Sequence, residues 1–167
     1  MGIGSKPNSK VFKAKNTSYS MKSHYSIQPV DTIQQLRHLV PLKQIELSET
    51  SGEPTTAREA MGRVMYDFAI GCELTVAYIG QKPVGFVTTM PDSHGVFLFT
   101  AVVDPAHRRN GTRKALYEAV INDAAEQSLD QITTRLKPGD REMNMFIRMG
   151  FDIVKSGNVY EARYSLR

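Results

Sequence analysis

VVDPAHRRNGTRKAL, residues 102–116, joins a nearly continuous apolar segment to an amphipathic helix. The apolar segment, VFLFTAVVD at 96–104, is typical of a strand buried on both faces of a sheet. Pro105 and the polar residues after it end this strand. A helix to about Ser128 is then predicted by apolar residues at helical spacing: Leu116, Ala119, Val120 and Ala124.

The turn between this strand and this helix is suited to binding phosphate. The N-terminus of a helix has unpaired N–H groups and a partial positive charge, and both favour an anion. Gly111 lets the backbone approach phosphate oxygens because it has no side chain. Four cations lie within seven residues of one another: Arg108, Arg109, Arg113 and Lys114. The alternatives are a surface helix that merely begins with basic residues, or a contact with the phosphate backbone of nucleic acid.

The other segments predict an α/β fold in which one mixed β-sheet is flanked by helices. Strands are predicted at 24–30, 72–80, 82–90, 96–104, 131–136, 151–156 and 159–166. We expect 82–90 and 96–104 to be central in the sheet, and the segments on either side of Gly80-Gln81 to form a hairpin.

Helices are predicted between these strands. One begins near Thr32 and is interrupted by Pro41, which gives a bent helix or a pair of short helices. SETSGEPTT at 48–56 is a predicted loop. A second helix ends at Gly71 and has one face marked by Met61, Val64, Met65 and Phe68. The last helix is short and runs through Met149.

The composition fits one globular domain: the chain has 167 residues, of which 41% are hydrophobic and 23% charged. No apolar run approaches the ~18 residues of a membrane span, and the N-terminus lacks the apolar stretch of a secretory signal. We therefore expect a cytoplasmic protein. Cys72, the single cysteine, excludes an internal disulfide and is expected to be a small buried hydrophobe. Met143, Met145 and Met149 are expected to fill the core.

The charge is unevenly distributed along the chain. Its 21 basic and 17 acidic residues give a net charge of +4, but residues 1–30 hold five lysines and no acidic residue. Residues 1–23 are rich in Ser, Lys, Gly and Asn, which predicts a flexible basic arm before a domain at 24–167. Two interpretations of the arm stay open: a solvated extension, or an element that docks on an acidic protein surface, nucleic acid or a membrane surface.

The order of elements and the turn at 102–116 resemble the GNAT superfamily of acyl-coenzyme A dependent N-acetyltransferases. The resemblance covers residues 24–167. Family members carry a strand, then Val-x-Pro, then Arg/Gln-x-x-Gly-x-Gly/Ala at the start of a helix. This chain has Val103, Pro105, Arg108 and Gly111 at those places. YIGQKPVGFV at 78–87 is similar to the family's second hairpin, and Met149-Gly150-Phe151 to the end of its last helix.

The resemblance implies that acetyl-coenzyme A, or coenzyme A, is the ligand. By the same resemblance its binding residues are Val103, Arg108, Arg109, Asn110, Gly111, Thr112 and Arg113. No metal is implied.

Several positions depart from the family pattern. Arg113 replaces a final Gly or Ala, so its long side chain either crowds the phosphate or binds it. Phe146 stands where the family usually has a Tyr that protonates the departing thiolate, and Phe has no such proton. The strand at 96–103 has no acidic residue, although many members keep a Glu there. The family's Asn near the start of the last helix is also missing, and the nearest residues are Gly139, Asp140 and Glu142.

Candidate substitutes exist for the missing groups, but none is assigned as catalytic. They are Glu73, Asp92, His94 and Tyr117. Each has an ordinary structural interpretation that is favoured over catalysis: a strand-edge charge for Glu73, turn residues for Asp92 and His94, and helix packing for Tyr117. Positioning alone can supply much of the acceleration of an amine attacking a thioester.

Two functions therefore fit the sequence. The first, which is slightly favoured, is an N-acetyltransferase that acts on a small-molecule or protein amine. The second is a GNAT-fold protein that has lost turnover and serves as a binding or structural component, attached through its basic arm, as in some phage particles. In that case the protein would lie within a virion. The sequence leaves open whether the chain forms an oligomer.

Overall fold

The computed structural model of the chain describes residues 25–167. The elements follow one another as β1 (Tyr25–Pro29), α1 (Ile33–Leu36), α2 (Val40–Ser51), α3 (Ala57–Ala69), β2 (Glu73–Ile79), β3 (Lys82–Pro91), β4 (Gly95–Val103), α4 (Thr112–Glu126), β5 (Gln131–Leu136), α5 (Met143–Arg148), β6 (Asp152–Ser156) and β7 (Val159–Ser165). The predicted arm at 1–23, and residue 24 where the predicted domain begins, lie outside the described residues.

The seven strands of the described part form a single mixed sheet in the order β1-β2-β3-β4-β5-β7-β6. β4 and β5 are parallel, and the other neighbouring strands are antiparallel. Helix α4 packs on β3 and β4, and α2 contacts the same two strands. The predicted α/β fold with one mixed sheet flanked by helices is confirmed, and so is the central position of β3 and β4.

Two apolar clusters, one on each face of the sheet, hold the helices in place. The cluster on the α4 and α5 face includes Leu98, Leu116, Tyr117, Ile132 and Phe146. The cluster on the face of the first three helices includes Leu36, Leu39, Val64, Phe86 and Val102. Each fully buried aliphatic or aromatic side chain contributes roughly 1.5–3 kcal/mol. Because β4 supplies residues to both clusters, it is buried on both faces, as its apolar sequence predicts.

Strand β4 separates from β5 partway along its length. The two strands pair only at Gly95–Phe97 with Gln131–Thr133, although β5 continues to Leu136 along β7. A bulge follows in β4, because Val87 and Thr89 of β3 face Ala101 and Leu98, which are three residues apart. The separation leaves a space beside the second half of β4, which we call the β4–β5 gap.

The predicted loop at 48–56 is partly wrong. Helix α2 continues to Ser51, so residues 48–51 are helical. Its end is fixed by Gly52, whose φ of 76° lies in the left-handed region and whose N–H donates to the Ser48 carbonyl. The Ser and Thr residues at 48–51 have the composition of a loop, but they are helical because the glycine that ends the helix comes after them.

The predicted face of α3 is also partly wrong. Val64 is buried, but Met65 is 46% exposed and Asp67 is buried in its place. Asp67 is turned inward because Lys43 of α2, itself buried, binds it at 3.0 Å. The Lys43 ammonium also lies over the Phe86 ring at 5.6 Å. This buried ion pair joins α2 to α3 and rotates α3 away from the face that its apolar spacing predicts.

Candidate functional site

The turn after β4 leaves the start of α4 open to a ligand. Asp104 Oδ1 accepts a hydrogen bond from the Ala106 N–H at 3.0 Å, which forms a short 3-10 turn at Pro105–His107. Gly111 then caps α4 with a φ of 80° and no side-chain hydrogen bond to the helix. A residue with a Cβ is strained at this φ, which is the local reason for glycine. The first-turn N–H groups therefore have no capping side chain.

Thr112 adds an unused polar group at the same place. Its side chain is 2% exposed, and its Oγ1 has no hydrogen-bond partner among the described residues. The helix start lies close to β3, because a Cβ on Gly85 would lie 3.4 Å from the Thr112 Cγ2 and 2.8 Å from the Val102 carbonyl oxygen. The helix start is thus held firmly against the sheet and has unsatisfied donors, as a site for an oxyanion requires.

The predicted binding residues lie at the end of β4, in the loop after it and at the start of α4, and their side chains have different surroundings. Val103 is buried, and its carbonyl oxygen accepts a hydrogen bond from the Arg108 Nε at 3.0 Å. The Arg108 guanidinium also contacts Glu49 of α2 at 2.5 Å. Arg108 therefore fastens the loop to α2. Arg109 and Asn110 are exposed, and Arg109 has a left-handed φ of 65°.

The Arg113 side chain points away from the start of α4. Its guanidinium forms an ion pair with Glu142, the residue just before α5. The second Glu142 oxygen accepts a hydrogen bond from the Tyr117 hydroxyl at 3.4 Å. Tyr117 is fully buried and stacks on Phe146, with ring centroids 5.1 Å apart. The predicted packing role of Tyr117 is therefore correct, but its hydroxyl belongs to a polar cluster that also joins α4 to α5.

This cluster, composed of Arg113, Tyr117 and Glu142, lies beside the β4–β5 gap. A backbone hydrogen bond links the Tyr117 hydroxyl to Ala101, which follows the β4 bulge. Burial raises the pKa of Tyr117 far above its ordinary value. Burial also raises the pKa of Glu142, although Arg113 acts to lower it. Perturbed titratable groups beside a gap in a sheet are typical of functional sites.

A cleft of about 820 Å³ lies between α4 and α5. Its polar lining carries three cations, two amides and one carboxylate: Lys114, Arg141, Arg148, Asn122, Asn144 and Glu118. Lys114 and Glu118 form an ion pair at 3.5 Å. Tyr164 of β7 and two methionines supply apolar surface. The three methionines near α5 pack against the core while remaining only partly buried, in agreement with their predicted role. Cys72 is buried as predicted.

The other candidate substitutes lie at the opposite end of the sheet. Asp92 and His94 precede β4, and Asp92 Oδ1 accepts hydrogen bonds from the N–H groups of His94 and Gly95 at 2.8 and 2.7 Å. Glu73 begins β2, where burial and the charge of Asp123 raise its pKa. These residues have the structural roles that the sequence analysis favours for them.

Glu142 and Glu49 are the residues of the site that sequence reasoning missed. Each pairs with an arginine of the turn, and the pairs are separated by 29 and 59 positions. Residues 25–167 contain no group of three side chains able to hold a metal ion. No helix in this part of the chain has the length and apolar character needed to cross a membrane.

Solved structures with a similar fold include acetyltransferases. The PaiA N-acetyltransferase from Thermoplasma acidophilum, in complex with coenzyme A, has a TM-score of 0.65 and 11% identity over 84% of this chain and 99% of that chain. An N-acetyltransferase from Staphylococcus aureus Mu50 has a TM-score of 0.69 and 12% identity over 87% and 100%. The ribosomal-protein-S18-alanine N-acetyltransferase from Escherichia coli has a TM-score of 0.65 and 14% identity over 83% and 90%.

The sequence itself identifies the family. No curated protein matches it significantly. The profile of the acetyltransferase (GNAT) family, however, matches residues 40–151. This match spans more than half of the chain and includes the turn after β4, the β4–β5 gap and α5. The chain therefore belongs to the acetyltransferase (GNAT) family.

Proposed function

We propose that this protein is an N-acetyltransferase that transfers an acetyl group from acetyl-coenzyme A to an amine. The observation that carries the proposal is that the open helix start at Gly111 and Thr112 follows the end of β4, the strand that separates from β5. If an anionic group binds at the helix start, an extended chain attached to that group can enter the β4–β5 gap. Coenzyme A has this form, with a pyrophosphate at one end and a thiol at the other.

The phosphate site consists of the backbone at 108–113 and the cations around it. The first-turn N–H groups of α4 face the pyrophosphate, and Arg109 and Lys114 contribute exposed positive charge. Val103 and Arg108 act indirectly, because their mutual hydrogen bond and the contact with Glu49 fix the loop. The PaiA structure, which has the same fold, contains coenzyme A and supports this assignment of the ligand.

The β4–β5 gap supplies the second part of the site. Beyond Phe97, β4 does not pair with β5, so its backbone groups there, apart from the Ala101 group that contacts Tyr117, can bind the pantetheine chain and the thioester carbonyl. Holding the thioester and the amine together converts a bimolecular reaction into one within a complex, which contributes much of the acceleration.

The alternative function, a GNAT-fold structural component attached through its arm, has no observation in its favour among residues 25–167. The arm itself lies outside this part of the chain. We retain the assignment of residues 24–167 to one domain, since the sheet and the apolar cluster on its α4 and α5 face extend from β1 to β7. We also retain docking of the arm on an acidic protein surface or nucleic acid as a proposal.

The proposed function is tested by binding and by turnover. A ligand that binds only the folded state at a hundredfold excess over its Kd stabilises by about 2.7 kcal/mol. Since 1 kcal/mol shifts Tm by roughly 2–4 °C in a domain of this size, acetyl-coenzyme A should raise Tm by about 5–10 °C. Release of free thiol is then measured with amino acids, polyamines, aminoglycosides and peptides as acceptors. An unchanged Tm together with no thiol release would contradict the proposal.

A further inference from the structure

The cluster of Arg113, Tyr117 and Glu142 is the least expected feature of the site. Arg113 is in the first turn of α4, yet it faces Glu142 across the space between α4 and α5. The Arg113 side chain is 35% exposed and that of Glu142 19%, so the ion pair is accessible from one side only. Tyr117 lies beneath the pair with no exposed surface. The three groups form a continuous polar path from the protein surface to the backbone of β4 at Ala101.

Arg113 has two possible partners once a ligand is bound. Its backbone N–H belongs to the helix start that faces the proposed pyrophosphate, while its guanidinium is held by Glu142. The pyrophosphate carries two negative charges and four non-bridging acceptor oxygens, against one charge and two oxygens for a carboxylate, so it competes effectively for an arginine. Because the Arg113 side chain is partly exposed, it can turn toward the phosphate without unfolding the helix. Glu142 then loses its cation.

The surroundings of Glu142 determine how it responds to the loss of this cation. Arg113 and Tyr117 face it from α4, and Asp140 faces it from the preceding turn. Burial already raises the pKa of Glu142 with Arg113 in place, and the charge of Asp140 raises it further. Arg113 is the cation that opposes these effects. When Arg113 moves away, the Glu142 carboxylate is left buried beside a phenol and another carboxylate, so its pKa rises and it takes up a proton.

We propose that Arg113 exchanges Glu142 for a phosphate of the acyl donor, and that protonated Glu142 and Tyr117 then form a relay that delivers a proton to the departing thiolate. The relay would replace the proton donor that is absent at Phe146, on which the Tyr117 ring stacks. This inference rests on the proposed acetyltransferase function. It makes Tyr117 the catalytic residue and Glu142 a group that acts through it.

The step balances in protons and electrons. The amine nitrogen forms a bond to the thioester carbonyl carbon, and the carbon–sulfur bond breaks with its electron pair on sulfur. Tyr117 gives its hydroxyl proton to sulfur and receives the proton of Glu142. The amide nitrogen loses its extra proton to water, and Glu142 is protonated again when the next donor binds. Burial makes the Tyr117 phenolate unfavourable, so Tyr117 gives up its proton only while it receives another from Glu142.

The first test measures protons taken up on binding. Desulfo-coenzyme A is titrated by calorimetry at pH 7 in two buffers of different ionisation enthalpy, since it carries the phosphates but no thiol. The full-length protein should take up as much as about one proton per ligand, and by linkage its affinity should fall as pH rises. Glu142→Gln should abolish this uptake while still binding the ligand. Glu161→Gln removes a carboxylate from another arginine pair, with Arg163, and should leave the uptake unchanged.

If the unmodified protein and Glu142→Gln both bind the ligand and take up the same number of protons, the inference is wrong, but the proposed function is not contradicted. Failure of the unmodified protein to bind would instead contradict the proposed function. The two failures are thus distinguishable.

The second test follows the hydroxyl group itself. Tyr117→Phe should lower kcat by about 100-fold, in the range for loss of a general acid, with little change in the KM for acetyl-coenzyme A. Adding Phe146→Tyr to this variant returns a phenol to the adjacent ring of the stack and should recover part of the loss. Melting temperatures of both variants establish that they are folded. A Tyr117→Phe protein that is folded and retains the original kcat would refute the relay.

Discussion

Gly111→Glu should abolish binding of coenzyme A while the domain stays folded. Gly111 has a φ of 80°, and a Cβ built there would meet no atom within 4 Å. The new side chain therefore fits sterically, and the left-handed backbone costs on the order of 1–3 kcal/mol. A domain with a typical stability of about 5–15 kcal/mol remains folded after this loss. The effect on binding should come from the negative charge placed at the helix start.

The magnitude follows from the charge and its distance. A carboxylate at position 111 lies within about one side-chain length of any phosphate held by the first turn of α4. Two unit charges 5 Å apart repel by about 3 kcal/mol at an effective dielectric constant of 20. This corresponds to a rise in Kd of roughly 200-fold. The new carboxylate can also accept hydrogen bonds from the N–H groups that would otherwise bind the ligand, which adds to the loss.

Gly111→Ala is the matched control, because it carries the same backbone strain without the charge. Calorimetric titration with coenzyme A should give a Kd for Gly111→Ala within a few-fold of the original, and no measurable binding for Gly111→Glu. Melting temperatures of the two variants should agree closely. If Gly111→Glu binds coenzyme A as tightly as Gly111→Ala does, the helix start is not the phosphate site and the reasoning fails.

Three further predictions concern the domain and the arm. Lys43→Met removes the buried cation that Asp67 and Glu46 share and should lower the free energy of unfolding by roughly 3 kcal/mol in urea titrations. Lys43→Met with Asp67→Leu should recover part of this loss, because Glu46 still lacks its cation. Glu73→Gln should raise Tm at pH 7 but not at pH 3. Burial raises the pKa of Glu73 in the folded state, so the ionised carboxylate destabilises the protein only as pH rises through that pKa. An equal rise in Tm at both pH values would contradict this prediction. Deletion of residues 1–22 should leave Tm nearly unchanged and weaken association with an acidic partner, and an unfolded truncation would show that the arm belongs to the core.

Local sequence signals were sufficient for most of the fold. β5 has the predicted bounds, 131–136, because β-favouring residues there are flanked by a polar segment and by Pro138-Gly139. The apolar segment at 96–104 agrees with β4 to within one residue at each end, because its continuity indicates burial on two faces. The errors at 48–51 and Met65 arise from a glycine cap beyond the loop-like residues and from a buried ion pair between two helices. Neither is visible in local periodicity, since the ion pair joins residues 24 positions apart.

The backbone elements of the candidate site could be predicted from the sequence, but the contacts of its side chains could not. The turn at 102–116 is one continuous segment, so its sequence contains the strand end, the glycine and the helix start. The partners of Arg108 and Arg113 come from α2 and from the turn before α5, and only the folded chain brings them together. Glu142 stands out in the sequence only as an acidic residue near a position that departs from the family pattern. Its pairing with Arg113 depends on the spacing between α4 and α5, which no local pattern specifies.

The most direct test of the central claim is a crystal structure of the full-length protein grown with coenzyme A. The account predicts the pyrophosphate on the backbone N–H groups at 111–113, and the pantetheine chain in the β4–β5 gap along the half of β4 that does not pair with β5. In the same structure the Arg113 guanidinium should contact a phosphate and no longer contact Glu142. Coenzyme A bound elsewhere on the protein, or a β4–β5 gap that excludes the ligand at saturating concentration, would contradict the account.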